Sequence, residues 1–309
     1  MKTAGIIGGS GFIGSHTTKK FLDEGFAVKV SSTDINNKSK YEHLLALHNA
    51  QNLEILPLDV REIDAIKSFV SGCDIVVHCG TPFILDIQDP QTQLFEPTVK
   101  GTENFLEVVK NTPGIEKVVF VASVAGYNTN FPMPAGGKSI TDTFDENEPK
   151  FTSTESHPYG QAKFMANQTV EKFIKDNPDL PFEISSVSPV LVIGKSLSGR
   201  EDSTSTGIQF LFKNKLAPDA FVQSLYDNDV PFALVDVIDV AEAIYKTAIT
   251  KNLGGKNYLL SSETYKVSDI CAMLNNEAPK ESGTVIYKNK LATNDLGVQF
   301  RPARETLTD

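Results

Sequence analysis

Cysteine is scarce in this chain, a basic block is missing, and no apolar run is long enough for a membrane span. Each absence excludes a class of protein. The three cysteines, Cys73, Cys79 and Cys271, are odd in number and show no CxxC spacing. Neither a disulfide framework nor a zinc or other metal site is expected, and a reducing cytoplasm suits the thiols. The formal net charge of −10 argues against nucleic acid or an anionic membrane as the main partner. It leaves open a local positive nook for a phosphate. Without about 20 consecutive apolar residues no helix is expected to cross a bilayer. The first residues enter a strand pattern directly, so no signal peptide is expected before them. Internal repeats and low-complexity tracts are also missing.

What is present is a glycine-rich turn at the start of the chain, GIIGGSGFIG from Gly5 to Gly14. A short apolar run, Lys2 to Ile7, precedes it. Phe12, Ile13, Thr17, Phe21 and Leu22 follow at helical spacing. Strand, glycine turn and helix in that order give the motif meaning, because the helix amino terminus offers free N–H groups and a positive dipole end to a pyrophosphate. Two spacings fit: Gly9, Gly11 and Gly14 read GxGxxG, and Gly8, Gly11 and Gly14 read GxxGxxG. The remaining strand patterns are Phe26–Val30, Leu53–Leu56, Asp74–His78 and Lys117–Val121. A helical pattern spans Leu94–Val109. This alternation predicts an α/β fold: a doubly wound parallel sheet covered on both faces, with ligands at the carboxyl ends of the strands. Residues 126–157 form a long Pro/Gly-containing loop. Beyond it, helix is expected over Tyr159–Ile174, near Gly207–Lys215 and over Val237–Ile249. Strand is expected over Phe182–Val187, Phe232–Val235 and Asn257–Leu260. Residues 1–190 are expected to form the dinucleotide-binding domain, with 233–260 partly returning to it. Residues 191–309 should form mainly a smaller C-terminal substrate-binding lobe.

Tyr159-Gly-Gln-Ala-Lys163 opens a helix, and Tyr and Lys four residues apart share one face of it. Ser123 lies just past the fifth strand. In a doubly wound sheet, Ser123 and Tyr159 meet at the rim that carries the glycine turn. Carbonyl reduction needs hydride at carbon and a proton at oxygen. A free tyrosine, with a pKa of about 10, is a poor acid/base at neutral pH. A neighbouring ammonium favours the phenolate and lowers that value. Lys163 suits this role, and Ser123 suits a hydrogen bond to the substrate oxygen.

The set Gly8/Gly11/Gly14, Ser123, Tyr159 and Lys163 resembles the extended branch of the short-chain dehydrogenase/reductase superfamily, the NAD-dependent epimerase/dehydratase superfamily with its Rossmann fold. HCGTPF, then DPQTQLFEPTVKGTENFL from Asp89 to Leu106, is similar to the dihydroflavonol 4-reductase/cinnamoyl-CoA reductase group. So are Phe144-Asp145-Glu146-Asn147, SPVLVIG from Ser188 to Gly194, VDVIDVAEAI and LGVQFRPARETL. The resemblance implies an oxidoreductase with Ser123, Tyr159 and Lys163 as the catalytic set. It places the cofactor against Gly8, Ser10, Gly11, Phe12, Ile13 and Gly14. Asp59 and Val60 would lie at its adenine, and Cys79, Gly80 and Thr81 along its adenosine. Tyr159, Lys163, Pro189, Val190 and Val192 would lie by the nicotinamide. Thr33 and Lys40 would hold the 2′-phosphate.

The chain departs from that pattern in three places. Thr98 stands where sugar-nucleotide epimerases usually carry Asn. Thr33 replaces the arginine that holds the NADP 2′-phosphate, and Lys195 replaces a proline. Asp34 follows Gly14 at about the 20-residue distance where an acid can bind the NAD ribose, yet NAD-preferring relatives place their acid at the position of Ser32. NADP is the expected cofactor, with NAD the alternative. The substrate is expected to be a small-molecule ketone, aldehyde or matching alcohol. The other functions are a nucleotide-sugar epimerase or dehydratase with tightly bound NAD, and a non-catalytic NADP-binding sensor. A monomer or a homodimer fits. His78 is expected to be a satisfied structural histidine, and His157 either touches substrate or covers the loop. Phe131, Phe151, Phe210, Phe212 and Phe221 line an apolar pocket or fill core, core being the usual place for phenylalanine.

Overall fold

The structure, a computed structural model, describes residues 1–79, 89–200 and 203–308. Along the chain the strands are β1 (Thr3–Ile7), β2 (Ala27–Ser32), β3 (Leu53–Pro57), β4 (Ile75–His78), β5 (Lys117–Val121), β6 (Glu183–Pro189), β7 (Leu191–Ile193), β8 (Pro231–Asp236), β9 (Asn257–Leu260) and β10 (Thr264–Lys266). The helices are α1 (Phe12–Asp23), α2 (Glu42–Leu45), α3 (Ile63–Val70), α4 (Gly101–Lys110), α5 (Pro158–Asp176), α6 (Thr204–Asn214), α7 (Ala220–Asp227), α8 (Val237–Ile249), α9 (Val267–Leu274), α10 (Lys290–Leu296) and α11 (Ala303–Thr308).

Seven strands make a wholly parallel sheet in the order β3-β2-β1-β4-β5-β6-β9. The winding reverses between β1 and β4, where Ile7 pairs with His78. A reversal of this kind opens a crevice outside the carboxyl ends of the strands. Both faces of the sheet are covered, which accounts for its continuous β-branched runs. Ile6, Val77 and Val119 point to a core shared with Phe21 and Leu22 of α1 and Val240 and Ile244 of α8. Their chain neighbours Ile7, Val76 and Val118 point the other way, into a core with Ile66 and Phe69 of α3, Phe105 and Val109 of α4 and Val170 of α5. That alternation is the period of a strand. Each fully buried aliphatic or Phe side chain contributes roughly 1.5–3 kcal/mol.

A second sheet, β10-β8-β7, carries a separate core of Leu191, Ile193, Phe212, Phe232, Leu234 and Ile270. β7 runs parallel to β8, and β10 runs antiparallel to it. The chain then returns to the large sheet through α8, which packs on α1, and through β9. No described helix is long and apolar enough to cross a membrane.

Two segments differ from the expectation. The helical pattern ending at Val109 divides into a π-helical stretch, Gln91–Lys100, and α4. Pro97 lies inside that stretch; it has no N–H to give and clashes with the preceding turn, so the ladder widens around it. The long loop after Gly126 has little regular structure but is well anchored. Asn128 donates to the Met133 carbonyl and the Tyr287 hydroxyl at 2.8 and 2.9 Å. Phe144 exchanges backbone bonds with Ile286 and Lys288, both 2.8 Å. Glu146 accepts from the Leu259 amide at 2.9 Å, covering part of edge strand β9. Burial raises the Glu146 carboxyl above its ordinary value.

Candidate active site

The turn between β1 and α1 owes its form to its glycines. Gly8 has φ +75°, a conformation that costs glycine little. A Cβ on Gly14 would lie 2.0 Å from the Gly8 carbonyl oxygen, so only glycine fits there. A Cβ on Gly9 would meet Val30 of β2 at 2.8 Å. Both spacings in the sequence are therefore used: Gly8 and Gly14 close the turn on the helix, and Gly9 seats it on β2. The Ser15 amide donates to the Gly11 carbonyl at 2.8 Å and starts the helical ladder. No side chain caps α1, and its first turn holds no acidic residue. The helix end thus presents backbone N–H groups and a positive dipole end, the arrangement that receives a pyrophosphate.

Two positions beyond β5, Ser123 caps the 3₁₀ turn Val124–Gly126. Its Oγ accepts from the Ala125 amide at 3.2 Å. This uses one lone pair and leaves the hydroxyl proton to donate. Tyr159 is the second residue of α5, after Pro158 at the favoured first position. His157 caps the helix, its Nδ1 accepting from the Tyr159 amide at 3.2 Å. Burial holds His157 below its ordinary value, which keeps that nitrogen a lone-pair acceptor.

Lys163 follows one helical turn after Tyr159 and is buried. Its Nζ donates to the Val121 carbonyl in a long bond of 3.5 Å. Burial drives the ammonium down to about 8, opposed by the Cys79 sulfur. The amine therefore lies at the carboxyl ends of β4 and β5. α5 is also held close to the segment after Ser123. A Cβ on Gly160 would stand 2.9 Å from the Thr129 carbonyl oxygen, and one on Gly126 would stand 3.2 Å from Asn167 Cγ.

A family model described as NAD dependent epimerase/dehydratase family matches residues 4–260. The chain belongs to the NAD dependent epimerase/dehydratase family. Curated relatives include a cinnamoyl-CoA reductase of Medicago truncatula, 29% identical, with 98% of this chain and 93% of that protein covered. An anthocyanidin reductase of Arabidopsis thaliana is 26% identical, with 96% and 88% covered. Among solved structures, yeast methylglyoxal/isovaleraldehyde reductase Gre2 complexed with NADPH superposes with TM-score 0.81. It is 23% identical, covering 99% of this chain and 96% of its own. Vestitone reductase from alfalfa gives 0.75 at 18% identity, with 100% and 96% covered.

Those of the other expected family positions that are described lie along the same rim. Asp59 and Val60 follow β3. Asp59 grips Arg61 through both carboxylate oxygens, and the guanidinium holds its carboxyl below the usual range. Val60 packs under the amino end of α4, where a Cβ on Gly101 would meet it at 3.0 Å. Pro189 closes β6, while Val190 and Val192 are buried as the chain crosses into the second sheet. Gly80 and Thr81 lie outside the described residues. The Cys79 amide donates to the Ile7 carbonyl at 2.9 Å, and burial pushes its thiol up to about 12, far from a nucleophile's value. Among the described residues, no group of His, Cys, Asp and Glu could hold a metal.

His78 requires a correction. It is structural, packed between Phe105 and Phe120, but it is not satisfied: Nε2 is buried with no partner among the described residues. Burial first, and the Lys163 charge second, hold it down to about 4. Of the five phenylalanines, Phe212 is core, Phe131 and Phe151 are half-buried, and Phe210 and Phe221 are exposed. Thr98 sits in the π-helical stretch, its Oγ1 buried without a partner among the described residues. Two supporting roles were missed from sequence, the His157 cap and the Glu146 contact with β9. The Ser-His-Pro-Tyr run held a signal for the first, since proline marks the start of a helix. Nothing local to Glu146 pointed to β9.

Proposed function

We propose that this chain is an NADP-dependent carbonyl reductase acting on a small-molecule ketone or aldehyde, or on the matching alcohol in reverse. The observation that carries the reading is the buried Lys163 ammonium. It is tied to the end of β5 beside Ser123 and stands one turn from Tyr159, on the rim where α1 leaves its amino end uncapped. The glycine turn, the α1 amides and the strand ends fit a dinucleotide, which supplies the hydride when bound. Tyr159 gives the proton to the carbonyl oxygen. Lys163 favours the phenolate left behind, its charge being strongest where water is excluded. Ser123 donates its hydroxyl proton to the oxygen as negative charge develops there. Cinnamoyl-CoA and anthocyanidin reductases among the relatives, and Gre2 with NADPH, support the same direction. The three described cysteines are free thiols, which agrees with a cytoplasmic setting.

The test is NADPH consumption across a panel of ketones and aldehydes, with NADH alongside. Turnover with at least one carbonyl, lost in Tyr159→Phe while NADP⁺ binding persists, is the expected result. Undiminished turnover in that variant removes the tyrosine from the mechanism. The family match also admits an epimerase or dehydratase. That reading predicts NAD retained through purification and no net cofactor oxidation. Binding without turnover on any substrate would point to a sensor.

A further inference from the structure

The site leaves one requirement unmet on β2. A 2′-phosphate is a dianion that a planar guanidinium grips with two parallel hydrogen bonds. The residue just beyond β2 is Thr33, which carries no charge. Ser32 offers no help: it is buried, and its hydroxyl donates to the Asp34 carbonyl at 3.0 Å. Ser31 is engaged with the Gly8 amide at 2.8 Å. What remains at this corner is Thr33 with Lys40, whose Nζ donates to the Thr33 hydroxyl at 3.3 Å.

A guanidinium does reach this corner, from the other lobe. Arg200 follows β7 and precedes α6, yet its Nη1 donates to the Lys40 carbonyl at 3.1 Å. Its charge is felt at His43 on α2, which burial and Arg200 together hold below its ordinary value. His43 in turn meets Ser15, in the first turn of α1, at 2.8 Å. Arg200 thus meets Lys40, Lys40 meets Thr33 just beyond β2, and α2 links them to the helix that would hold the pyrophosphate. In a chain of net charge −10 this corner brings two cationic side chains, Lys40 and Arg200, into one neighbourhood. The nearby Asp34 carboxylate is turned toward its own chain, accepting from the Asn36 amide at 3.0 Å.

We infer that Arg200, carried by the second lobe, binds the cofactor 2′-phosphate together with Lys40 and Thr33 and sets the preference for NADP over NAD. The inference rests on the proposed function, since it presumes a dinucleotide on the glycine turn. Its physical content is a transfer of the phosphate's cation from the β2 loop to the segment leading into α6.

The experiment is calorimetric titration of NADP⁺ and NAD⁺, which differ only by the 2′-phosphate, into wild type, Arg200→Ala, Arg200→Lys and Lys40→Ala. Wild type is expected to bind NADP⁺ more tightly. Arg200→Ala should weaken NADP⁺ by about tenfold or more, the worth of a charged hydrogen bond, with NAD⁺ within about twofold. Arg200→Lys should recover part of the loss, and Lys40→Ala should reproduce it. The inference is overturned by discrimination kept in Arg200→Ala, or by an equal loss for both dinucleotides, which would make Arg200 only a pin between lobes. A wild type that binds both equally overturns the NADP reading itself and the inference with it. A wild type that prefers NADP⁺ while Arg200→Ala matches it overturns the inference alone.

Discussion

Lys163→Met should stabilise the fold while it destroys the site. The Lys163 ammonium is buried and held down to about 8 from 10.5 by loss of solvent. At pH 7 the folded protein therefore carries a penalty equal to that depression, about 3 kcal/mol at the constant of roughly 1.4 kcal/mol per pKa unit. The bond to the Val121 carbonyl, long at 3.5 Å, offsets about 1 kcal/mol of it. Methionine has a similar volume and no charge, so the variant should gain about 1–2 kcal/mol, a few degrees in melting temperature for a chain of this size. The sign with pH follows from linkage. Between about 8 and 10.5 the unfolded state holds the lysine proton and the folded state does not, so wild-type stability rises with pH across that window. The advantage of Lys163→Met should be constant below about 8, shrink above it and reverse by about 10.5, because wild type recovers the whole of the roughly 3 kcal/mol penalty over that window. Urea unfolding followed by circular dichroism from pH 7 to 10.5 reads this directly. A variant less stable than wild type at pH 7, or a gap that ignores pH, refutes the burial argument.

Gly14→Ala should abolish dinucleotide binding and cost several kcal/mol, because its Cβ would overlap the Gly8 carbonyl oxygen; calorimetry and melting temperature check both effects. Ser123→Ala should lower kcat roughly 10²-fold with little change in cofactor affinity, the loss expected on removing a donor to a developing oxyanion. Acid should unfold the protein partly through His78. Its folded value of about 4 lies below the ordinary 6.5, so stability falls as pH drops from 6.5 toward 4, and His78→Phe should flatten that slope in urea titrations. His157→Ala removes the cap on the Tyr159 amide, which should cost about 1 kcal/mol and lower kcat more than it raises KM.

The parallel sheet was legible because its central strands β4 and β5 are β-branched runs, and burial on two faces leaves that pattern in the sequence itself. The glycine turn was equally open to reading, since Gly8 and Gly14 answer local geometric demands. Tyr159 and Lys163 lie one turn apart in α5, a placement that needs only the helical period. What the chain hid was long-range. β7 and β10 have three residues each and exist only because β8 lies beside them. Pro97 widened a helix whose apolar spacing still looked regular. Arg200 meets Lys40 across 160 positions of sequence, and no local pattern encodes such a contact. His78 ended a strand and looked structural, but only packing could show that its Nε2 had no partner.

The central claim is that Tyr159 protonates a carbonyl while the bound dinucleotide delivers hydride to its carbon. Stereospecifically 4-deuterated NADPH, incubated with a carbonyl substrate found by the panel, tests this with mass-spectrometric reading of the alcohol. Wild type should place one deuterium on the carbinol carbon from one of the two C4 faces, and Tyr159→Phe should slow the transfer by about 10²–10⁴. Alcohol formed without deuterium from either labelled face, or transfer at the wild-type rate in Tyr159→Phe, would contradict it.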